Sequence, residues 1–296
     1  MKTTKTILAA AILCGLVGGC GSGGSSSGGG GGGLGGIAGT GISLGQFIPG
    51  QAGQYADAGV KGLSAASMNE TDEDELGRSV AIAATNRWPV LDNPNLTKYV
   101  TMVGLSLADA TGKPDGNWVF GVLDTPDVGA YSGPNGYIMV TRGAIQLMQD
   151  ESELAGVLAH EMGHVIDRDG FKTVQTANLV GAGMEAASAA DRRVAMFNQA
   201  SDLLVNTVFS SGWNQGQETG ADTKAVQLLI ASGYDPHGLA RFLQRMQAAG
   251  GSRGARPFGT HPGTGDRIAH ISSQAGGRGG ATNADRFAKA KADAKL

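Results

Sequence analysis

His160-Glu161-Met162-Gly163-His164, near the middle of a 296-residue chain, places two imidazoles and a carboxylate within five positions. Four residues along a helix are about 400° of rotation, so His160 and His164 share one face, one turn apart, and can converge on a single ion. Glu161 is rotated by about 100° and sits at the edge of that face, where it can act on a metal-bound water without replacing a ligand. Zinc in such a site lowers the pKa of its water toward about 7, and the carboxylate completes the deprotonation. Ala159 and Gly163 are small and open one side of the helix.

A catalytic zinc needs a third protein ligand and an open fourth position. The extended form of the motif would need a glycine at position 167 and a histidine at position 170, and these are Asp167 and Gly170. The alternative is a glutamate on a later helix, which Glu218-Thr219-Gly220-Ala221-Asp222 supplies. Glu218 can bind the metal while Asp222, one turn on, accepts a proton from a ligand histidine and fixes its tautomer. The expectation is one Zn2+ per chain on His160, His164 and Glu218. His261 precedes Pro262, whose fixed φ favours a helix start. Two roles are open to it: a hydrogen-bond donor to the oxyanion of a scissile carbonyl, or a fourth zinc ligand that holds the enzyme latent. Arg267 can pair with an acid near the site. His237 reads as an exposed turn residue and His270 as structural.

The elements that must position these groups follow from periodicity. Thr71 to Trp88 and Asn95 to Ala110 read as helices, the second with Leu96, Val100, Val103 and Leu107 on one stripe. Trp118 to Leu123 and Tyr137 to Thr141 read as strands, with Ala130-Tyr131-Ser132 a short edge strand before the Gly133-Pro134-Asn135-Gly136 turn. Glu151 to Arg168 is the helix of the motif. A long helical region runs from Thr173 to about Phe209, and a further helix from Trp213 to Ala231. The next begins at Asp235-Pro236, and a short one runs from Pro262 to about Gln274.

The N-terminus has the marks of export. Lys2 and Lys5 precede an apolar stretch, Ile7 to Val17, too short to span a bilayer. Small residues before Cys20 resemble a lipobox, where the signal is cut and the thiol acylated. Half of the thirty positions from Gly21 to Gly50 are glycine, a flexible tether reaching roughly 35 Å. Cys14 and Cys20 are the only cysteines, so processing leaves no disulfide. Removal of Lys2 and Lys5 takes the formal charge from −3 to −5, which argues against nucleic acid as a partner. Residues 1–19 are thus expected to be a signal peptide, 20–67 a tether, 68–275 the folded domain and 276–296 a mobile tail. The expected attachment is to membrane through the N-terminal lipid, facing the periplasm. Gly21, where an acid would resemble inner-membrane retention, points to the outer membrane.

The His160–His164 pentad, Glu218 to Asp222, and His261-Pro262 with Arg267 together resemble the M48 peptidases. Tyr131 to Gly143 and Glu153-Leu154-Ala155 resemble that family's edge strand, hairpin and helix approach. Asp169 stands where many members carry histidine. It is not a family zinc ligand, so the departure bears on local packing alone. The resemblance implies a gluzincin-like α+β fold, mainly helical, with a small mixed sheet. It also implies endopeptidase activity on unfolded or misassembled envelope proteins. The leading reading is peptide-bond hydrolysis with the substrate backbone pairing with Ala130, Tyr131 and Ser132 by β-augmentation. The competing reading is a zinc-containing chaperone or assembly factor for outer-membrane proteins, which would have no need of Glu161 as a base. The sequence leaves the oligomeric state open.

Overall fold

The computed structural model describes residues 70–113, 116–177, 189–250 and 264–296. The expected signal peptide and tether, Cys20 and His261 lie outside the described residues. Helix α1 is Glu70–Arg87 and α2 is Pro94–Ala108. Asn93 caps α2 by accepting from the Leu96 amide at 3.0 Å, ahead of a proline that has no amide to satisfy. The stripe Leu96, Val100, Val103 and Leu107 is buried.

Strands β1 (Val119–Leu123), β2 (Ala130–Gly133) and β3 (Tyr137–Thr141) form one sheet in the order β1-β3-β2. β1 runs parallel to β3, and β2 antiparallel to it with Ser132 opposite Ile138. β2 is therefore an edge strand. The tight turn between β2 and β3 puts Asn135 at φ 58° and Gly136 at φ 92°, backbone that favours these two residue types.

Helices α3 (Arg142–Leu147), α4 (Glu151–Ile166) and α5 (Asp169–Thr176) follow. The long helical region expected from Thr173 does not run through: α5 ends at Thr176, and α6 occupies Ala189–Asn206. A π-helical turn, Thr207–Ser211, comes next, then α7 (Gln215–Ala231), α8 (Gly238–Gly250), α9 (Thr264–Ala275) and α10 (Ala284–Asp293). The architecture is α+β and mainly helical. No helix among the described residues is long and apolar enough to cross a membrane.

Helix α4 is the axis of the fold. Every residue from Glu151 to His164 is buried. Glycines on α4 let its neighbours approach: a methyl at Gly156 would lie 2.6 Å from the Leu239 amide of α8, and one at Gly163 2.9 Å from Ala221 Cα of α7. The small side of the motif helix is thus filled by another helix rather than left open. Asp150 caps α4 by accepting from the Glu153 amide at 3.0 Å.

The C-terminal segment packs against the start of α4. Thr282 turns its carbonyl onto the first amides of α4, Glu151 at 3.0 Å and Ser152 at 3.3 Å, donors that no intrahelical partner can satisfy. The buried Glu151 carboxylate accepts from Tyr234 (2.8 Å), Asn283 (3.1 Å), Arg286 and Tyr99. Phe287 inserts at 1% exposure, beside Tyr99. The Lys/Ala composition concealed this because a few residues, Thr282, Asn283, Arg286 and Phe287, make the attachment. Phe287→Ala should therefore destabilise the domain by about 3–5 kcal/mol in urea unfolding. A loss under ~0.5 kcal/mol, the level of a surface change, would mean that the tail contributes nothing.

Candidate metal centre

Helix α4 presents His160 and His164 on one face, their rings edge to face at 4.8 Å. Helix α7, admitted by Gly163, brings Glu218 against them. The Glu218 carboxylate lies 3.5 Å from His160 Nε2 and 3.8 Å from His164 Nε2. Ligand atoms of these three residues all lie within 4.8 Å of one another, and all three are buried. Glu218 stands in the first turn of α7, which a reciprocal Asn214–Gln217 capping box starts.

Both Nδ1 atoms are held by carboxylates. Asp222 reaches His160 Nδ1 at 2.9 Å and Asp169 reaches His164 Nδ1 at 2.9 Å. This carboxylate–imidazole pairing turns each Nε2 lone pair toward the shared centre. Arg267 of α9, 4% exposed, clasps Asp222 through Nε (2.9 Å) and Nη2 (2.7 Å) and reaches Glu218 through Nη1 (3.0 Å). Trp213 stacks on the His164 ring at 4.9 Å.

Charge decides what this donor set suits. Glu161, Asp169, Glu218 and Asp222 are each at most 2% exposed, and among the described residues Arg267 is the buried arginine beside them. Such a surplus is costly in a dry interior unless a cation offsets it. Burial and the Arg267 charge oppose a proton on His160, but Asp222 and Glu218 outweigh both and lift its pKa to about 9. Burial depresses His164 in spite of Asp169. Although burial alone would raise it, Asp222 is held down at about 2 by Arg267 and His160. A proton and a divalent ion would compete for His160. The residues fit zinc in type, number and orientation.

Glu161, fully buried, accepts a 2.7 Å hydrogen bond from Ser132 Oγ. Ser132 faces α4, whereas Tyr131 points to the opposite side of the sheet, stacked on Trp88 at 5.3 Å and against Phe209 at 4.8 Å. Of the residues singled out from the sequence, His160, Glu161, His164, Glu218, Asp222, Arg267 and Ser132 meet in one place. His237 bonds the Gly276 carbonyl and His270 bonds Thr223. His261 lies outside the described residues.

Three features escaped the sequence reading. Asp169 concerns more than local packing, since its carboxylate holds a histidine of the centre. The available signal was an acid five residues past His164, just beyond a helix end. Arg168, at φ 54°, makes the turn that returns Asp169 to α4. The Ser132–Glu161 bond and the Trp213 stack span 29 and 49 residues and had no local signal.

The profile of peptidase family M48 matches residues 94–275. The chain is 31% identical to Metalloprotease LoiP of Escherichia coli (strain K12), over 75% of this chain and 82% of that protein. It is 25% identical to Metalloprotease YcaL of the same organism, over 92% and 97%. It is 24% identical to that organism's Beta-barrel assembly-enhancing protease, over 79% of this chain and 50% of the relative, and so spans half of that relative's length.

If Asp169 orients His164, Asp169→Asn should weaken zinc binding about 10- to 100-fold with the fold retained. Competition with a chelator measures this, and unchanged affinity would show that the contact is idle.

Proposed function

The chain belongs to peptidase family M48, and from that membership we propose that it is a zinc-dependent endopeptidase of the bacterial envelope. The observation that carries the reading is the convergence of His160, His164 and Glu218, with each histidine's other nitrogen held by a carboxylate. One zinc per chain would be held by those three residues. When bound, zinc supplies Lewis acidity that polarises a scissile carbonyl and acidifies a water.

The chain's own residues do the rest. Glu161 accepts the proton of the attacking water on a carboxylate oxygen and delivers it to the leaving amine. Asp222 and Asp169 keep the two imidazoles in the tautomer that ligates through Nε2, and Arg267 holds Asp222 and Glu218 in place. The edge of β2, at Ala130, Tyr131 and Ser132, pairs with the substrate backbone. That mode reads main chain more than side chains, as suits polypeptides in unfolded or misassembled states. His261 acts as oxyanion donor or, in a latent state, as a fourth ligand. The tether from Cys20 keeps the domain at a membrane on its periplasmic side. The name Beta-barrel assembly-enhancing protease, carried by a relative, supports substrates drawn from outer-membrane assembly.

Two experiments test this reading. Zinc-loaded protein should cleave denatured casein and stop when chelated. Glu161→Gln should keep about one zinc per chain and lose most of that cleavage. A folded Glu161→Gln that loses its zinc would give Glu161 another role, and a wild type that binds casein without cutting it would favour the chaperone. For the anchor, wild-type protein in cells should incorporate labelled palmitate and Cys20→Ser should not. An unlabelled wild type rules the lipid out.

A further inference from the structure

The Glu161–Ser132 contact carries a consequence for catalysis. Glu161 is an ionisable group at 0% exposure, and Ser132 is 2% exposed. A buried carboxylate needs donors. A hydroxyl donating at 2.7 Å is a well-formed O–H···O bond that fixes the direction of the carboxylate it meets. Ser132 is the one residue of β2 whose side chain is shown reaching the centre: Tyr131, its neighbour, packs on Trp88 and Phe209 on the opposite face. Strand alternation makes this unavoidable, since Ala130 and Ser132 share the α4 side.

We propose that Ser132 is a positioning residue for Glu161: its hydroxyl holds one carboxylate oxygen, so that proton acceptance falls to the other, and it ties the base to the strand on which substrate docks. The proposal rests on the endopeptidase reading above. Strand and base then move as one unit. A substrate backbone aligned on the β2 edge is aligned with the base as well, which is the positioning that lowers the entropic part of a barrier. The hydroxyl contributes to the rate rather than to binding of either metal or peptide.

The test compares wild type, Ser132→Ala and Ser132→Thr on a fluorogenic peptide, with zinc content and thermal midpoint measured on each. Ser132→Ala should lower kcat about 10- to 100-fold. KM should stay within about threefold, and zinc should remain at wild-type stoichiometry. Ser132→Thr, which keeps the hydroxyl on a β-branched frame suited to a strand, should recover most of the lost kcat. An unchanged kcat in Ser132→Ala overturns the proposal, as does a change confined to KM or zinc content, or a failure of threonine to restore turnover. An alanine variant that does not fold makes Ser132 structural and also overturns it. Absence of cleavage by the zinc-loaded wild type instead removes the endopeptidase reading on which the proposal stands.

Discussion

Among the described residues, four buried carboxylates around two imidazoles, with one buried arginine to set against them, are the constraint on which this structure depends. Such an excess of negative charge cannot be held in a dry interior by packing alone. A metal cation would offset it, and the donors are oriented for one: two Nδ1 atoms are engaged by Asp222 and Asp169, and two Nε2 atoms face Glu218. Arg267 is what allows Asp222 and Glu218 to coexist on consecutive turns of one helix, because its fork reaches both. A lysine would offer a point charge and lose the two-toothed grip on Asp222.

The surrounding fold serves to keep this array dry and close. Helix α4 is buried along nearly its whole length, and Gly163 sets how near α7 can come. The far end of α4 is fixed by the C-terminal segment, with the Thr282 carbonyl on its first amides and Glu151 gathering donors from three other parts of the chain. A helix pinned at its start and flanked by close-packed neighbours has little freedom to rotate, and the spacing of its two histidines is preserved by that rigidity. The membership in family M48 agrees with this arrangement.

What could be read from the sequence is what helix periodicity dictates. His160 with His164, and Glu218 with Asp222, are pairs one turn apart, so their faces follow from counting. The strand Ala130 to Ser132 and its turn were legible because glycine, proline and asparagine punctuate the chain there. Contacts between distant segments were not. Nothing local to Ser132 indicates that it bonds Glu161, and nothing local to Phe287 marks it as core. Asp169 is the instructive case. Its type and position suggest only local packing, yet a carboxylate five residues after His164 can reach that histidine if the backbone makes one left-handed turn, as Arg168 does. Helix boundaries read from composition alone also overran, since α5 and α6 are separate helices.

Anomalous diffraction at the zinc edge, on crystals of the zinc-loaded protein, tests the central claim most directly. The account predicts one peak per chain, about 2.0–2.2 Å from His160 Nε2, His164 Nε2 and a Glu218 carboxylate oxygen, with Asp222 and Asp169 still on the two Nδ1 atoms. A peak ligated through either Nδ1 or by Asp169 or Asp222, or no peak between α4 and α7, would contradict it.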